Sequence, residues 1–193
     1  MSKIYLVSCD YLKENTTINN NVDNNLLNNS IWEAQSMHIQ QITGTELYNK
    51  IIGLVENNQI GLAVNVKYKS LLDNYIRPAI VYWAWYESIT YIAFKVVNKG
   101  IELQNSDYSN NTSIDQMEYL RDEIRNKAEF YSQRLTDFMY QNRSDYPELL
   151  GNHHIDQLHP TSNQYFSGIQ FDSCGECGCI RTMGYDWRTH TLK

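Results

Sequence analysis

Between residues 117 and 138 the apolar side chains Met117, Leu120, Ile124, Ala128, Tyr131, Leu135 and Phe138 recur every three or four positions. On a helix of 3.6 residues per turn they share one stripe, sustained for about six turns. Arg121, Asp122, Glu123, Arg125, Lys127, Glu129, Gln133 and Arg134 take the other faces. The chain is therefore expected to hold a long amphipathic helix over 113–142, capped by Thr112 or Ser113. The rest of the fold must offer it a complementary apolar face.

Three further segments carry helical spacing. Ile31, Ala34, Gln35, His38, Ile39 and Ile42 predict a helix over 30–43, with Asn28, Asn29 and Ser30 as candidate caps and Gly44 as its end. Leu47, Ile51, Leu54 and Val55 predict a second over 45–56, capped by Thr45. Leu71, Leu72, Tyr75, Ile76, Ala79, Tyr82, Trp83 and Tyr86 predict a third over 66–88, with Pro78 kinking it or breaking it after Arg77. The β-branched and aromatic run from Tyr91 to Val97 reads as a strand. It turns through Asn98-Lys99-Gly100 into Ile101–Leu103, a hairpin near 91–103. The fold class is thus mainly α: a small helical bundle with one β-hairpin.

Both ends look different from this core. Residues 3–8 read as a short strand, and 13–29 carry eight Asn, which together suggest an extended N-terminal arm over 1–29. After the core at 30–148, residues 149–193 lose helical periodicity and hold His153, His154, His159, His190, Cys174, Cys177 and Cys179. We read them as an irregular C-terminal extension with one short strand, Gln164 to Phe171. A lone strand cannot satisfy its own backbone, so that strand is expected to pair with another chain.

The net charge is −6 with a pI near 5.3. A surface devoted to binding nucleic acid is disfavoured, because phosphate contacts need clustered Lys and Arg. The most apolar stretch, Ile80 to Val97, is interrupted by Glu87 and Lys95 and does not read as a membrane span. No signal peptide is visible, so a cytoplasmic site of synthesis with reduced cysteines is expected.

The sharpest local motif is Cys174-Gly-Glu-Cys177-Gly-Cys179. Two thiols separated by two residues, with glycines letting the backbone turn toward the sulfurs, resemble half of a zinc knuckle. A tetrahedral site needs a fourth ligand. His190, or one of His153, His154 and His159, is available to complete it. A thiol redox reading of Cys174 and Cys177 would need the pair to open a helix, and Gly178 and Gly184 leave none. His153-His154-Ile-Asp156 with His159 has no helical ligand spacing, and Pro160 follows. With no phosphate loop and no nucleophile elbow, the sequence offers no catalytic set.

The order of segments resembles a known family. Ile31-Trp-Glu-Ala34-Gln35 through Ile42-Thr-Gly44-Thr-Glu-Leu47-Tyr48 is similar to the first helix and turn of head-to-tail connector (adaptor or neck ring) proteins of tailed bacteriophages. The Leu71-Leu72 to Pro78-Ala79 helix, the Phe94 to Ile101 hairpin and the long helix ending Tyr131-Ser-Gln-Arg134-Leu135 continue the likeness over roughly residues 3–145. The nearest versions are those of Bacteroidetes-infecting, crAss-like phages. The resemblance implies a non-enzymatic virion protein, assembled in the bacterial host cytoplasm and placed at the neck below the portal. It implies a homomeric, dodecameric ring that continues the DNA channel, with the portal protein and further neck or tail rings as partners. DNA would be only passing cargo, with no membrane contact and no cofactor. Two other classes stay open on the Cys/His tail: a zinc-stabilised interaction module and a thiol redox enzyme.

Overall fold

The computed structural model describes residues 3–97, 100–103, 114–150, 158–160, 185–186 and 191–192. The described chain is mainly helical. It divides into two compact units, Met1–Asn163 and Gln164–Lys193.

The N-terminal unit begins earlier than the sequence suggests. Ser8 caps a short helix α1, Cys9–Glu14, by accepting the Tyr11 N–H on its hydroxyl. Leu6, Val7, Leu12 and Ile18 are all buried in the common core. Each such side chain contributes roughly 1.5–3 kcal/mol when fully buried. The expected extended arm over 1–29 is therefore corrected: this segment is part of the core. Leu12 and Ile18 stand singly among polar and Asn-rich neighbours, which masks them in the sequence.

Helix α2, Asn24–Glu33, starts at the cap Asp23, whose carboxylate accepts the Asn25 N–H at 2.9 Å. Asn28, Asn29 and Ser30, the expected caps, lie inside it. Ser30 is buried and returns its hydroxyl to the Leu26 carbonyl, while Leu27 and Ile31 beside it are fully covered. The helix then widens into a π-helical segment, Ala34–Ile39, and closes as α3, Gln40–Thr43. Gly44 turns the chain with φ 76° and ψ 160°, and α4 follows over Thr45–Glu56.

Helix α5, Val66–Leu71, widens into a second π-helical segment, Leu72–Ile76, before α6, Arg77–Ala93. Here the Arg77 N–H reaches back five residues to Leu72. The change of register falls beside Pro78, the residue with no N–H to give, so the proline sits in the first turn of α6. Tyr91, Ile92 and Ala93, expected in a strand, are helical. The strands β1, Phe94–Val97, and β2, Gly100–Leu103, pair antiparallel with Phe94 opposite Leu103 and Val97 opposite Gly100.

Helix α7 runs over Ile114–Gln141, as its stripe predicts, and Ile124, Ala128, Leu135 and Met139 are buried. Leu120, assigned to the same stripe, is 43% exposed. α7 lies antiparallel to α6, with Tyr82 stacked on Tyr131. Eleven residues on from Tyr82, α6 ends at Ala93, and eleven back from Tyr131 is Leu120, so Leu120 stands level with the end of α6, where Tyr91 and Ile92 are exposed as well.

Beyond α7, Leu149 is buried and residues 158–160 lie across the α3–α4 corner. The contact boundary thus falls after Asn163, not at 149. In the second unit, β3 (Tyr185–Asp186) pairs antiparallel with β4 (Thr191–Leu192). The expected strand Gln164 to Phe171 lies outside the described residues.

Candidate interaction surface

Most of the residues singled out for metal or thiol chemistry, Cys174, Cys177, Cys179, His190, His153, His154 and Asp156, lie outside the described residues. His159 is described and exposed, between Leu158 and Pro160. Among the described residues no group of three or more His, Cys, Asp or Glu is placed to hold a metal ion. Cys9 is buried, with its Sγ 3.0 Å from the Asn28 Oδ1. Burial pushes its thiol pKa up.

The densest side-chain constellation is the seam between α6 and α7. Tyr75, in the π segment before α6, stacks on Phe138 with ring centroids 4.0 Å apart, and Tyr82 stacks on Tyr131 at 4.9 Å. The Trp83 indole donates to the Ser132 hydroxyl at 2.7 Å. On the other side of Trp83 the His38 ring lies flat against the indole, 3.7 Å away and 7° from parallel. Its Nε2 is 3.0 Å from Glu87 Oε1. His38 belongs to the first π segment, so this stack ties that segment to α6 and, through Trp83, to α7. Sequence reading placed His38 only on a helix face. Nothing in its spacing to Trp83 and Glu87, far away in sequence, marks the three as neighbours. Arg121 lies 4.3 Å over the Tyr86 ring, so its charge is held by a cation–π contact.

The opposite side of α7 is unlike an ordinary solvated face. Tyr119, Phe130 and Tyr140 are 74%, 63% and 66% exposed. Tyr119 and Phe130, eleven residues apart, lie about three turns along one line, and Tyr140, ten further on, stands about 80° round from Phe130, so the three rings form a broad row about 32 Å long. That row lies across the helix axis from buried Ile124 and Leu135. Carboxylates outnumber cations on this side: Asp115, Glu118, Asp122, Glu123, Glu129 and Asp137 are exposed, and the exposed Arg134 lies with Asp137 in the hollow beside Phe130. The cations Lys127 and Arg125 reach in from the flanks to Glu123 and Glu129, at 2.7 and 2.8 Å. Two shallow hollows of about 450 and 330 Å³ lie on either side of Phe130.

A second apolar surface sits on the turn between α4 and α5. Leu62, Val64 and Val66 are 54%, 87% and 60% exposed. The turn is held by its own backbone. Leu62 N–H donates to the Gln59 carbonyl, Asn65 N–H to Leu62, and the Asn65 carboxamide to Gln59 again. It abuts the far end of α7, because the Lys67 ammonium donates to the Asp145 carbonyl and the Tyr146 hydroxyl donates to the Lys67 carbonyl.

Residues 39–156 match a family of unknown function (DUF6712). That span is more than half of the chain. The chain belongs to this family. The match takes in α3 through α7 and both exposed apolar surfaces, while α1, α2 and nearly all of the first π segment precede it. No curated protein and no solved structure matches the chain. Among the described residues no helix is long and apolar enough to cross a membrane.

Proposed function

We propose that this DUF6712 member is a structural subunit of a tailed-phage particle, forming a homomeric, dodecameric ring below the portal. The observation that carries the reading is the row Tyr119, Phe130 and Tyr140 on the solvent side of α7. Large rings held outward on a rigid helix are what a subunit offers to a permanent neighbour, since Tyr and Phe bring contact area at little entropic cost. The segment resemblance to head-to-tail connectors supplies the setting. In that setting the partners are further copies of this chain, the portal protein above, and neck or tail rings below. The acidic balance suits a wall of the DNA channel, which must let DNA slide without holding it. The hairpin β1–β2, at the end of α6, is then the element that reaches a neighbour or the channel. The site of action is the virion neck, after assembly in the host cytoplasm, and the role requires no catalysis and no cofactor.

The test is imaging. Purified chain is mixed with isolated portal rings and examined by electron microscopy. A second ring capping the portal at its tail-facing end is the expected result. Portals that stay bare at saturating chain, with the chain folded, overturn the proposal.

A further inference from the structure

We infer that the aromatic, acidic back of α7 on one copy receives the apolar, basic turn at 62–69 of a second copy. This rests on the ring reading and names the two surfaces that would close the ring. The two surfaces complement each other in charge and shape. Along the back of α7 the outward charges are mainly carboxylates, with Lys127 paired to Glu123 and Arg134 as the cations beside Phe130. At the turn the outward charges are mainly basic: Lys67, Lys69 and Arg143 are exposed, against Asp145. Glu148 is half-buried there and accepts the Tyr68 hydroxyl at 2.8 Å, so it faces inward. Val64, the most exposed apolar side chain of the turn, meets a surface with hollows on either side of Phe130. The turn is pre-formed by its own hydrogen bonds, so little order is lost on docking.

Other occupants fit less well. Pairing the back of α7 with itself would set acid against acid, which is repulsive. A nucleic acid is repelled for the same reason. Every copy carries both surfaces, so the contact is heterologous. It propagates, and it closes into a ring when the rotation per copy permits.

The experiment is sedimentation equilibrium of the full chain, taken up to about millimolar concentration, at about 0.05 and about 0.5 M salt. The wild type is expected to associate, and to do so at least about tenfold more weakly at high salt. Two variants break one surface each: Tyr119→Ala with Phe130→Ala, and Val64→Asp. Each alone is expected to weaken association at least about tenfold. Mixed in equal amounts they retain one intact contact per pair and should give a one-to-one dimer and nothing larger. Circular dichroism melts establish that each variant is folded. Should the double variant unfold, Tyr119→Ala alone replaces it. The inference is overturned if Val64→Asp associates like wild type, or if neither variant changes association. It is also overturned if the mixture yields no dimer, or if wild-type chain stays monomeric throughout at low salt. In each of these cases the portal-imaging experiment still decides the ring reading by itself, so the two failures are distinguishable.

Discussion

The Leu6 N–H donates to the side-chain Oε1 of Gln35 at 3.2 Å, across 29 residues of sequence. The same carboxamide donates to the Ile4 carbonyl at 2.8 Å and to the Tyr48 hydroxyl at 3.1 Å. Gln35 is fully buried, and it grips the N-terminal segment as a neighbouring strand would. Replacing Gln35 by Ala leaves the Leu6 N–H and the Ile4 carbonyl without their partner. An expected loss of about 2–6 kcal/mol follows, at about 1–3 kcal/mol for each of the two orphaned groups. Urea unfolding measures it. Gln35→Glu should also destabilise, because a carboxylate cannot donate to Ile4. A stability within about 0.5 kcal/mol of wild type for Gln35→Ala would show that the N-terminal segment is not held this way.

Gly44 fixes the corner between α3 and α4. Its φ of 76° with ψ of 160° is a region that only glycine enters readily. A Cβ there would stand 2.9 Å from the Pro160 Cδ and 3.3 Å from the Leu158 carbonyl oxygen. Those residues are seated by two bonds: Thr45 N–H to the Leu158 carbonyl at 3.0 Å, and Leu158 N–H to the Thr45 hydroxyl at 2.9 Å. Gly44→Ala is expected to cost about 1–3 kcal/mol from the backbone alone, and more from the clash. In a thermal melt, adding Pro160→Ala to Gly44→Ala should recover only the clash component. Full recovery would mean that the backbone at Gly44 is not strained.

Two tyrosines set an alkaline limit. Burial first, and then the nearby Asp145 carboxylate and Tyr75, push the Tyr146 pKa from 10.0 up to about 12. Tyr68 moves in the same direction, through burial and then its hydrogen bond to Glu148. A phenol whose folded-state pKa is raised keeps its proton in the fold after the unfolded chain has lost it. The stability it contributes is therefore whole below pH 10 and falls as pH rises from about 10 to about 12. Unfolding free energy measured across that window should decline. Tyr146→Phe, which loses only the bond to the Lys67 carbonyl, should decline less steeply. Equal slopes would remove Tyr146 as the cause.

What could be read from the sequence followed from period and from glycine. The long stripe placed α7 almost to the residue, and Gly44 with Leu47, Ile51 and Leu54 placed α4. Where the apolar signal was diluted it failed. Leu6, Leu12, Ile18 and Leu27 are separated by polar, Asn-rich stretches whose residues serve the turns, and the segment passed for an arm. The π segments went unseen because one inserted residue per turn shifts the 3.6 rhythm without abolishing it. At Tyr91–Ala93 the helix α6 runs on through residues of high β propensity, and the Tyr91 hydroxyl donates to the Glu33 carboxylate at 2.8 Å. The stack of His38, Trp83 and Glu87 is a product of tertiary folding alone. The exposed row on α7 was present in the sequence. Tyr119, Phe130 and Tyr140 recur only at ten or eleven residues, too far apart to stand out as a helical rhythm against the stripe every three or four.

The two sides of α7 make the sharpest contrast for a single kind of substitution. Ile124 and Leu135 are fully buried, while Tyr119 is 74% exposed. Aspartate at position 124 or 135 places a carboxylate where a fully buried apolar side chain stood. The lost apolar burial alone is worth roughly 2–3 kcal/mol, and burying the charge adds several more. A domain of this size holds about 5–15 kcal/mol in total. Ile124→Asp and Leu135→Asp should therefore abolish cooperative unfolding or leave it only at low temperature. Tyr119→Asp removes a ring that faces water and adds one more acid to an acidic face, so its melt should stay within about 0.5 kcal/mol of wild type. If either core variant kept the wild-type melting curve, the stripe that defines α7 would be misassigned. If Tyr119→Asp unfolded the chain, the ring would be holding the fold and could not be the free surface on which association depends.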